Sequence, residues 1–223
     1  MFSFTISIDG NKQLHDTCRV DFQGNGSYDR AMLAVKHYAK TFNFNIMPPT
    51  KMTLSPENIY FTYDAVINLI EEGYEEIFLN CVFEEGWQLS HAQILYQEMI
   101  KIADYIIDNN LNDKIYISLF DEDLFCPMSE TDNENWCGGV GSKMLSLNYK
   151  GEFFPCIRYM ESSLNGAQKP LKIGDLTNGY LKLEEDLKNY NLTQNITRRS
   201  QSTDECFYCP IAKGCAWCSG YNY

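Results

Sequence analysis

A chain of 223 residues with 44% hydrophobic and 22% charged side chains holds enough apolar material for one large or two small globular domains. Its formal net charge of -12, from 30 acidic against 18 basic residues, opposes any role built on neutralising nucleic-acid phosphates or anionic lipid. No nucleic acid and no membrane are therefore expected as partners, whereas a basic peptide is permitted. The amino-terminal stretch Met-Phe-Ser-Phe-Thr-Ile-Ser-Ile-Asp has neither a basic lead nor an apolar run of signal-peptide length, and no later segment approaches a membrane span, so the expected location is cytoplasmic.

Residues 2 to 8 alternate apolar and small polar side chains, the period of a strand, and run into the turn signal Asp9-Gly10-Asn11. Lys12 to Gly26 reads as a polar loop. Ser27 is a candidate N-cap for a helix whose apolar positions 28, 31, 32, 35, 38, 39 and 42 share one face. Thr50 to Leu54 is a short strand, Ser55-Pro56 opens the next helix, and Gly73 closes it. Glu76 to Val82, nearly continuous in apolar residues, reads as a strand buried on both faces. Ser90 with Gln93 makes a capping box for a further helix, and Lys114 to Phe120 returns to a strand.

Strands alternating with helices predict a parallel α/β sheet or part of a barrel, with ligands at the carboxyl ends of the strands. That selects Ser7 and Asp9 after the first strand and Asn80 to Glu85 after the third. His15, Asp16 and Arg19 either bind an anionic group through the guanidinium fork or form a surface ion pair. His37 and His91 have no acidic or thiol partner at ligand spacing, and the sequence holds no Gly-rich phosphate loop or nucleophile elbow.

Asp121 to Asn135 is an acidic linker, and the domain boundary is expected within it, giving residues 1–122 and 123–223. Beyond it, Met144 to Tyr149 and Glu152 to Phe154 form a β-hairpin turning at Gly151, with Cys137 ahead of it and Cys156 just after. Leu181 to Leu187 reads as one or two turns of helix, and Ile173 to Leu176 as a short turn. Of nine cysteines, five lie between positions 156 and 218, and four of these, Cys206, Cys209, Cys215 and Cys218, fall within thirteen residues. Thiolates so dense in a reducing compartment point to zinc or iron; disulfides or inert buried thiols are the alternative. A thiol redox role for Cys206 and Cys209 lacks the expected strand-to-helix setting.

Two sets of residues together resemble a known family. Cys137, thirteen residues, Gly151, four residues, Cys156, then Cys206-x2-Cys209-x5-Cys215 and Cys218 resembles the SPASM extension of radical S-adenosylmethionine enzymes. Ser7-Ile8-Asp9-Gly10 with His15-Asp16 and Arg19 resembles the fourth strand and following loop of their partial (β/α)6 barrel. Asn80 to Trp87, Cys137-Gly138-Gly139 and Cys215-Ala216-Trp217-Cys218 look most like the peptide-maturase branch.

The resemblance implies an α/β fold, the carboxyl-terminal part of a partial (β/α)6 barrel followed by a small Cys-rich SPASM domain with a hairpin. It implies that Cys137, Cys156 and Cys218 ligate a first auxiliary 4Fe-4S cluster and Cys206, Cys209 and Cys215 a second. Cys218 stands two residues after Cys215 where the family pattern has three, which leaves its assignment open between the two. Ser7 and Arg19 match positions that contact S-adenosylmethionine. The implied activity is modification of a ribosomally made peptide or protein through hydrogen abstraction by a 5′-deoxyadenosyl radical. The Cys-x3-Cys-x2-Cys loop and the Gly-Gly-Glu segment that this chemistry requires are not in the sequence, so the expectation is a fragment lacking the amino-terminal part of the barrel, inactive alone. The alternative is a zinc-binding four-cysteine interaction module.

Overall fold

A computed structural model describes residues 5–42, 47–82, 86–129, 144–215 and 217–223. The chain divides into two compact units, Met1–Asp121 and Glu122–Tyr223. The first contains four strands, β1 (Ile6–Ser7), β2 (Thr50–Leu54), β3 (Glu76–Cys81) and β4 (Tyr116–Ile117), in one all-parallel sheet of order β1-β2-β3-β4. Helices α1 (Lys12–Cys18), α2 (Tyr28–Thr41), α3 (Thr62–Glu71) and α4 (Leu89–Asp108) lie between the strands in sequence. Each β-to-β connection therefore carries at least one helix, as parallel pairing requires. Ile6 pairs with Thr50 and Thr50 with Ile77, and the core gathers Ile8, Met52, Leu54, Ile77 and Ile117 against Val35, Val66, Leu69 and Ile102.

In the first unit one expected loop, two helix starts and one strand differ from expectation, each for a physical reason. Lys12 to Cys18 is a helix rather than a loop: Asn11 caps it, its side-chain oxygen accepting the Leu14 N–H at 3.0 Å. Its polar composition hides it because only Leu14 and His15 are buried. Ser55-Pro56 does not open α3. Asn58 closes a turn there, accepting from Ser55 N at 2.7 Å and donating to Thr53 O at 3.0 Å, and a 3-10 turn over Ile59–Phe61 precedes the helix. The start of α3 is then capped from α4, where the buried Glu98 carboxylate accepts the Tyr63 N–H at 3.0 Å. Helix α4 begins at Leu89, so Ser90 lies inside it, and the ring of His91 takes the Gln88 N–H at 3.1 Å. Strand β4 stops after Ile117 because Ser118 Oγ takes over the bonding to β3, accepting from Leu79 N at 2.9 Å.

The second unit carries a four-stranded antiparallel sheet of order β5 (Ser146–Leu147), β6 (Glu152–Phe154), β7 (Gly174–Asp175) and β8 (Gly179–Tyr180). The expected hairpin is present, with Gly151 at φ +79°, and the stretch expected as a simple turn at Ile173–Leu176 supplies β7 of a second hairpin. A short α5 (Glu161–Leu164) follows Cys156. Helix α6 (Glu184–Gln194) starts and ends later than expected because its buried positions are polar. Asp186 accepts the Leu183 N–H at 3.2 Å and Asn189 donates to Lys172 O at 2.8 Å, while Leu187 and Leu192 face solvent. Two single-turn helices, α7 (Arg198–Gln201) and α8 (Asp204–Phe207), lead into the cysteine-rich tail. No helix among the described residues is long and apolar enough to cross a membrane.

Candidate functional site

At the carboxyl end of β1 the chain builds a charged network on Asp9, a buried carboxylate. Arg19 approaches it with Nε and Nη2, the second at 3.2 Å, and Asp9 Oδ1 also accepts the Thr53 N–H of β2 at 2.8 Å. Arg19 Nη2 lies 3.5 Å from Thr53 Oγ1. One carboxylate thus ties the β1 end, the α1 exit and β2 together, and the fork of Arg19 is occupied by it on two of its three nitrogens. Ser7 sits two residues before Asp9, half-buried on β1, with no hydrogen-bond partner for its hydroxyl among the described residues. The two positions matched to S-adenosylmethionine contacts therefore lie at the same end of one strand.

His15 is a structural member of this network. Asp9 N–H donates to Nδ1 at 3.2 Å, and Ser27 Oγ, which donates to Arg19 O at 2.7 Å, lies 3.1 Å from Nε2. With its proton committed to Arg19 O, Ser27 can only accept from His15, so the ring is the neutral Nε2–H tautomer. Burial pushes the imidazole below its ordinary titration range; the Asp9 charge opposes that and the Arg19 charge adds to it. Asp16 caps α2 from outside, accepting the Tyr28 N–H at 2.9 Å. It can do so because position 26 is glycine: a Cβ there would fall 2.2 Å from the Asp16 carboxyl carbon.

The cysteines of the second unit sit on turns held by backbone bonds. Thr203 Oγ1 caps α8 by accepting the Cys206 N–H at 3.3 Å. Cys209 O accepts from Ala212 N at 3.0 Å, opening the 3-10 turn Ala212–Gly214, and Cys126 O accepts from Lys213 N at 3.0 Å. Gly214 is required there, since a Cβ would meet Leu124 O at 2.4 Å. The turn after Cys156 docks on the turn after Cys218: Tyr159 Oη and Ser219 Oγ, both on buried residues, are 2.9 Å apart, and a Cβ on Gly220 would meet Arg158 Cβ at 2.6 Å. Cys156 is buried, Cys209 and Cys218 are half-buried, and Cys206 and Cys215 are exposed. None of these five is in a disulfide. Cys137 lies outside the described residues.

Sequence reasoning missed Arg198, which is 5% exposed. Its Nη1 donates to Cys215 O at 3.0 Å and its Nη2 to Ala212 O, clamping the cysteine turn from α7. The neighbouring arginine pair Arg198-Arg199 was the signal available. Trp217, between Cys215 and Cys218, carries a buried indole N–H with no hydrogen-bond partner among the described residues. The lysines of a cleft beside α6, about 330 Å³ in volume, are already engaged: Lys150 with Glu161 at 3.8 Å, Lys169 with Glu185 at 2.8 Å and Lys172 with Asp175 at 2.7 Å.

No protein-family model matches the sequence, and no curated protein matches it. Solved structures do match. Native anSMEcpe with bound AdoMet, an anaerobic sulfatase-maturating enzyme of the radical S-adenosylmethionine type, aligns with a TM-score of 0.60 at 13% identity, over 95% of this chain and 56% of its own. The chain shares the α/β fold of that structure over the part that aligns. The same enzyme with AdoMet and the Cp18Cys or Kp18Cys peptide aligns at TM-score 0.62 in both cases, at 13% and 14% identity, over 95% of this chain and 57% of that one. This chain spans little more than half the length of the structures it matches. At such identities the likeness is one of fold, and that fold is α/β, as the spacing of strands and helices predicts.

The auxiliary clusters expected from the cysteine spacing call for thiolate donors, which the cysteine turns carry. Among the described residues no group of three or more His, Cys, Asp or Glu side chains is drawn together as a metal site. The donor chemistry nevertheless fits, because cysteine thiolates are the ligands such clusters take and ligation is itself what closes sites of this kind. The Tyr159–Ser219 contact joins the Cys156 and Cys218 turns, and the orphaned Trp217 N–H stands between two of the tail cysteines.

Proposed function

We propose that this chain is part of a radical S-adenosylmethionine enzyme with a SPASM domain, of the peptide-maturase type. In this reading the whole protein modifies a ribosomally made peptide or protein by 5′-deoxyadenosyl-radical hydrogen abstraction. Residues 123–223 hold two auxiliary 4Fe-4S clusters through Cys137, Cys156, Cys206, Cys209, Cys215 and Cys218. Ser7 and Arg19 contact S-adenosylmethionine at the end of β1.

The observation that supports this reading most directly is the docking of the Cys156 turn on the Cys218 turn through Tyr159 and Ser219, two cysteines 62 positions apart in sequence that the family pattern assigns to one cluster. The fold likeness to anSMEcpe with AdoMet and peptides bound supports the cofactor and the class of substrate. When bound, auxiliary clusters supply a redox-active, Lewis-acidic surface for a substrate. The chain's own part is to hold the thiolates on rigid turns. In unit 1, Asp9 fixes the Arg19 guanidinium while Nη1, which makes no hydrogen bond among the described residues, is left for a carboxylate.

Anaerobic reconstitution of the chain with iron and sulfide tests the cluster assignment. The expected result is several iron and acid-labile sulfide atoms per chain with thiolate-to-iron charge-transfer colour. Stoichiometric zinc with negligible iron would replace this reading by the four-cysteine zinc module.

A further inference from the structure

Two donors in the cysteine tail lack what their burial demands. Arg198 is 5% exposed, and its hydrogen-bond partners among the described residues are two backbone carbonyls, Cys215 O and Ala212 O; no carboxylate among the described residues lies within ion-pair distance of it. A guanidinium withdrawn from water with no counter-charge is costly, since neutral carbonyls return part of the lost hydration but none of the charge balance. Trp217 adds a second deficit: its Nε1–H is buried and donates to nothing among the described residues. Buried N–H groups are almost always paired, so an orphan marks a missing acceptor. The contrast with Trp87, whose Nε1 donates to Val82 O at 3.0 Å, shows that this chain satisfies its other described indole.

Both deficits fall on the same short stretch. Arg198 grips the turn that ends at Cys215, and Trp217 lies between Cys215 and Cys218. A positive charge without an anion and a donor without an acceptor are answered together by one thing, an anionic group rich in sulfur acceptors. Thiolates gathered on iron and sulfide are such a group, because their summed charge exceeds that of the metal and each sulfur accepts hydrogen bonds.

We propose that Arg198 and Trp217 are positioning residues for the metal group of the tail cysteines, Trp217 donating its indole N–H to a sulfur of that group and Arg198 supplying its buried counter-charge. This rests on the cluster reading above and goes beyond it by naming two residues outside the ligand set. Both raise the reduction potential of the group, since a hydrogen bond to sulfur and a nearby cation stabilise the more negative, reduced state more than the oxidised one.

The test uses the full chain reconstituted anaerobically, as wild type and as Trp217→Phe, Arg198→Lys, Arg198→Met and the control Trp87→Phe. Trp217→Phe keeps the ring and removes only the N–H. The expected result is unchanged iron content with a midpoint potential shifted to a more negative value, and no shift in Trp87→Phe. Ultraviolet resonance Raman of the indole N–H, as wild type minus Trp217→Phe, should report a free donor before metal loading and a hydrogen-bonded one after it. Arg198→Lys retains the charge but loses the fork, so it should load iron at a reduced level and keep a potential nearer wild type than Arg198→Met. A loaded Trp217→Phe protein with wild-type potential, together with an unchanged Raman band, overturns the proposal while leaving the clusters standing. A wild-type chain that binds no iron overturns both.

Discussion

The Asp9 carboxylate accepts from Arg19 and from the Thr53 backbone at once, so one buried acid joins α1 to two strands. Asp9→Asn keeps the shape but gives Arg19 a neutral partner and puts an amide N–H2 against donors. With Arg19 about one-third exposed, the loss should be on the order of 2–3 kcal/mol, below the ~3–5 kcal/mol of a fully buried pair broken on one side. Arg19→Lys should cost less stability, about 1 kcal/mol, because charge survives and only the fork is lost. Chemical denaturation of both variants measures the difference, and an Asp9→Asn cost no greater than that of Arg19→Lys would contradict the network described.

His15 makes the stability of the first unit depend on pH. Its pKa in the folded chain is lowered, chiefly by burial, so below the ordinary value of about 6.5 the unfolded chain takes up the proton first. The contribution is therefore fully present above that value and is lost as the pH falls through it. Asp9 and Asp16 oppose the lowering and Arg19 reinforces it, and the other polar side chains on the ring are Ser27, which does not titrate here, and Tyr28, packed edge-on at 5.6 Å, whose hydroxyl is pushed up by burial and away from this range. Thermal melts should show wild type losing stability as the pH falls below about 6.5. His15→Gln, less stable at neutral pH, should have a flatter curve across that window. A curve as steep as wild type in the variant would assign the effect to other groups.

Gly10 is held at φ +81°, and a Cβ there would sit 2.2 Å from Ala65 Cβ and 2.7 Å from its Cα. The approach of the β1 turn to the backbone of α3 leaves no room for a side chain. Gly10→Ala should cost about 3 kcal/mol, combining ~1–2 for the left-handed backbone with ~1–3 for the overlap. A paired Ala65→Gly should return part of the steric share and none of the backbone share, which a double-mutant cycle would resolve.

The parts of the fold that were legible in the sequence are those with a one-sided apolar pattern. Thr50–Leu54 buries Thr50, Met52 and Leu54 and exposes Lys51, and α2 buries Met32, Val35 and Ala39; both follow period alone. What escaped is held by polar side chains reaching across space. Lys12–Cys18 is helical through the Asn11 cap, and α3 starts where Glu98 of another helix caps it. Helix α6 buries Asp186, Asn189 and Thr193, a pattern that hydropathy reads as solvent-facing. At the site, Ser7, Asp9 and Arg19 were visible as a motif, but the motif did not say that Arg19 is spent largely on Asp9. The cysteine spacing was equally visible, whereas Arg198 was not, because a buried arginine looks like any surface one until its carbonyl partners fold back on it.

Tyr159 and Ser219 offer a separate handle on the cysteine turns. Their 2.9 Å hydrogen bond is buried and joins the segment after Cys156 to the segment after Cys218. Tyr159→Phe removes the hydroxyl and keeps the ring among Cys156, Leu171 and Tyr223, so folding should weaken by about 1–2 kcal/mol. If those two cysteines share a metal group, the same change should act more strongly on metal retention, since ligation depends on the distance between the turns and not only on their presence. Release of iron to a chelator from the reconstituted protein should be several-fold faster in Tyr159→Phe than in wild type. A melt lowered by the expected few degrees with wild-type release kinetics would mean that the two turns pack together without sharing a metal.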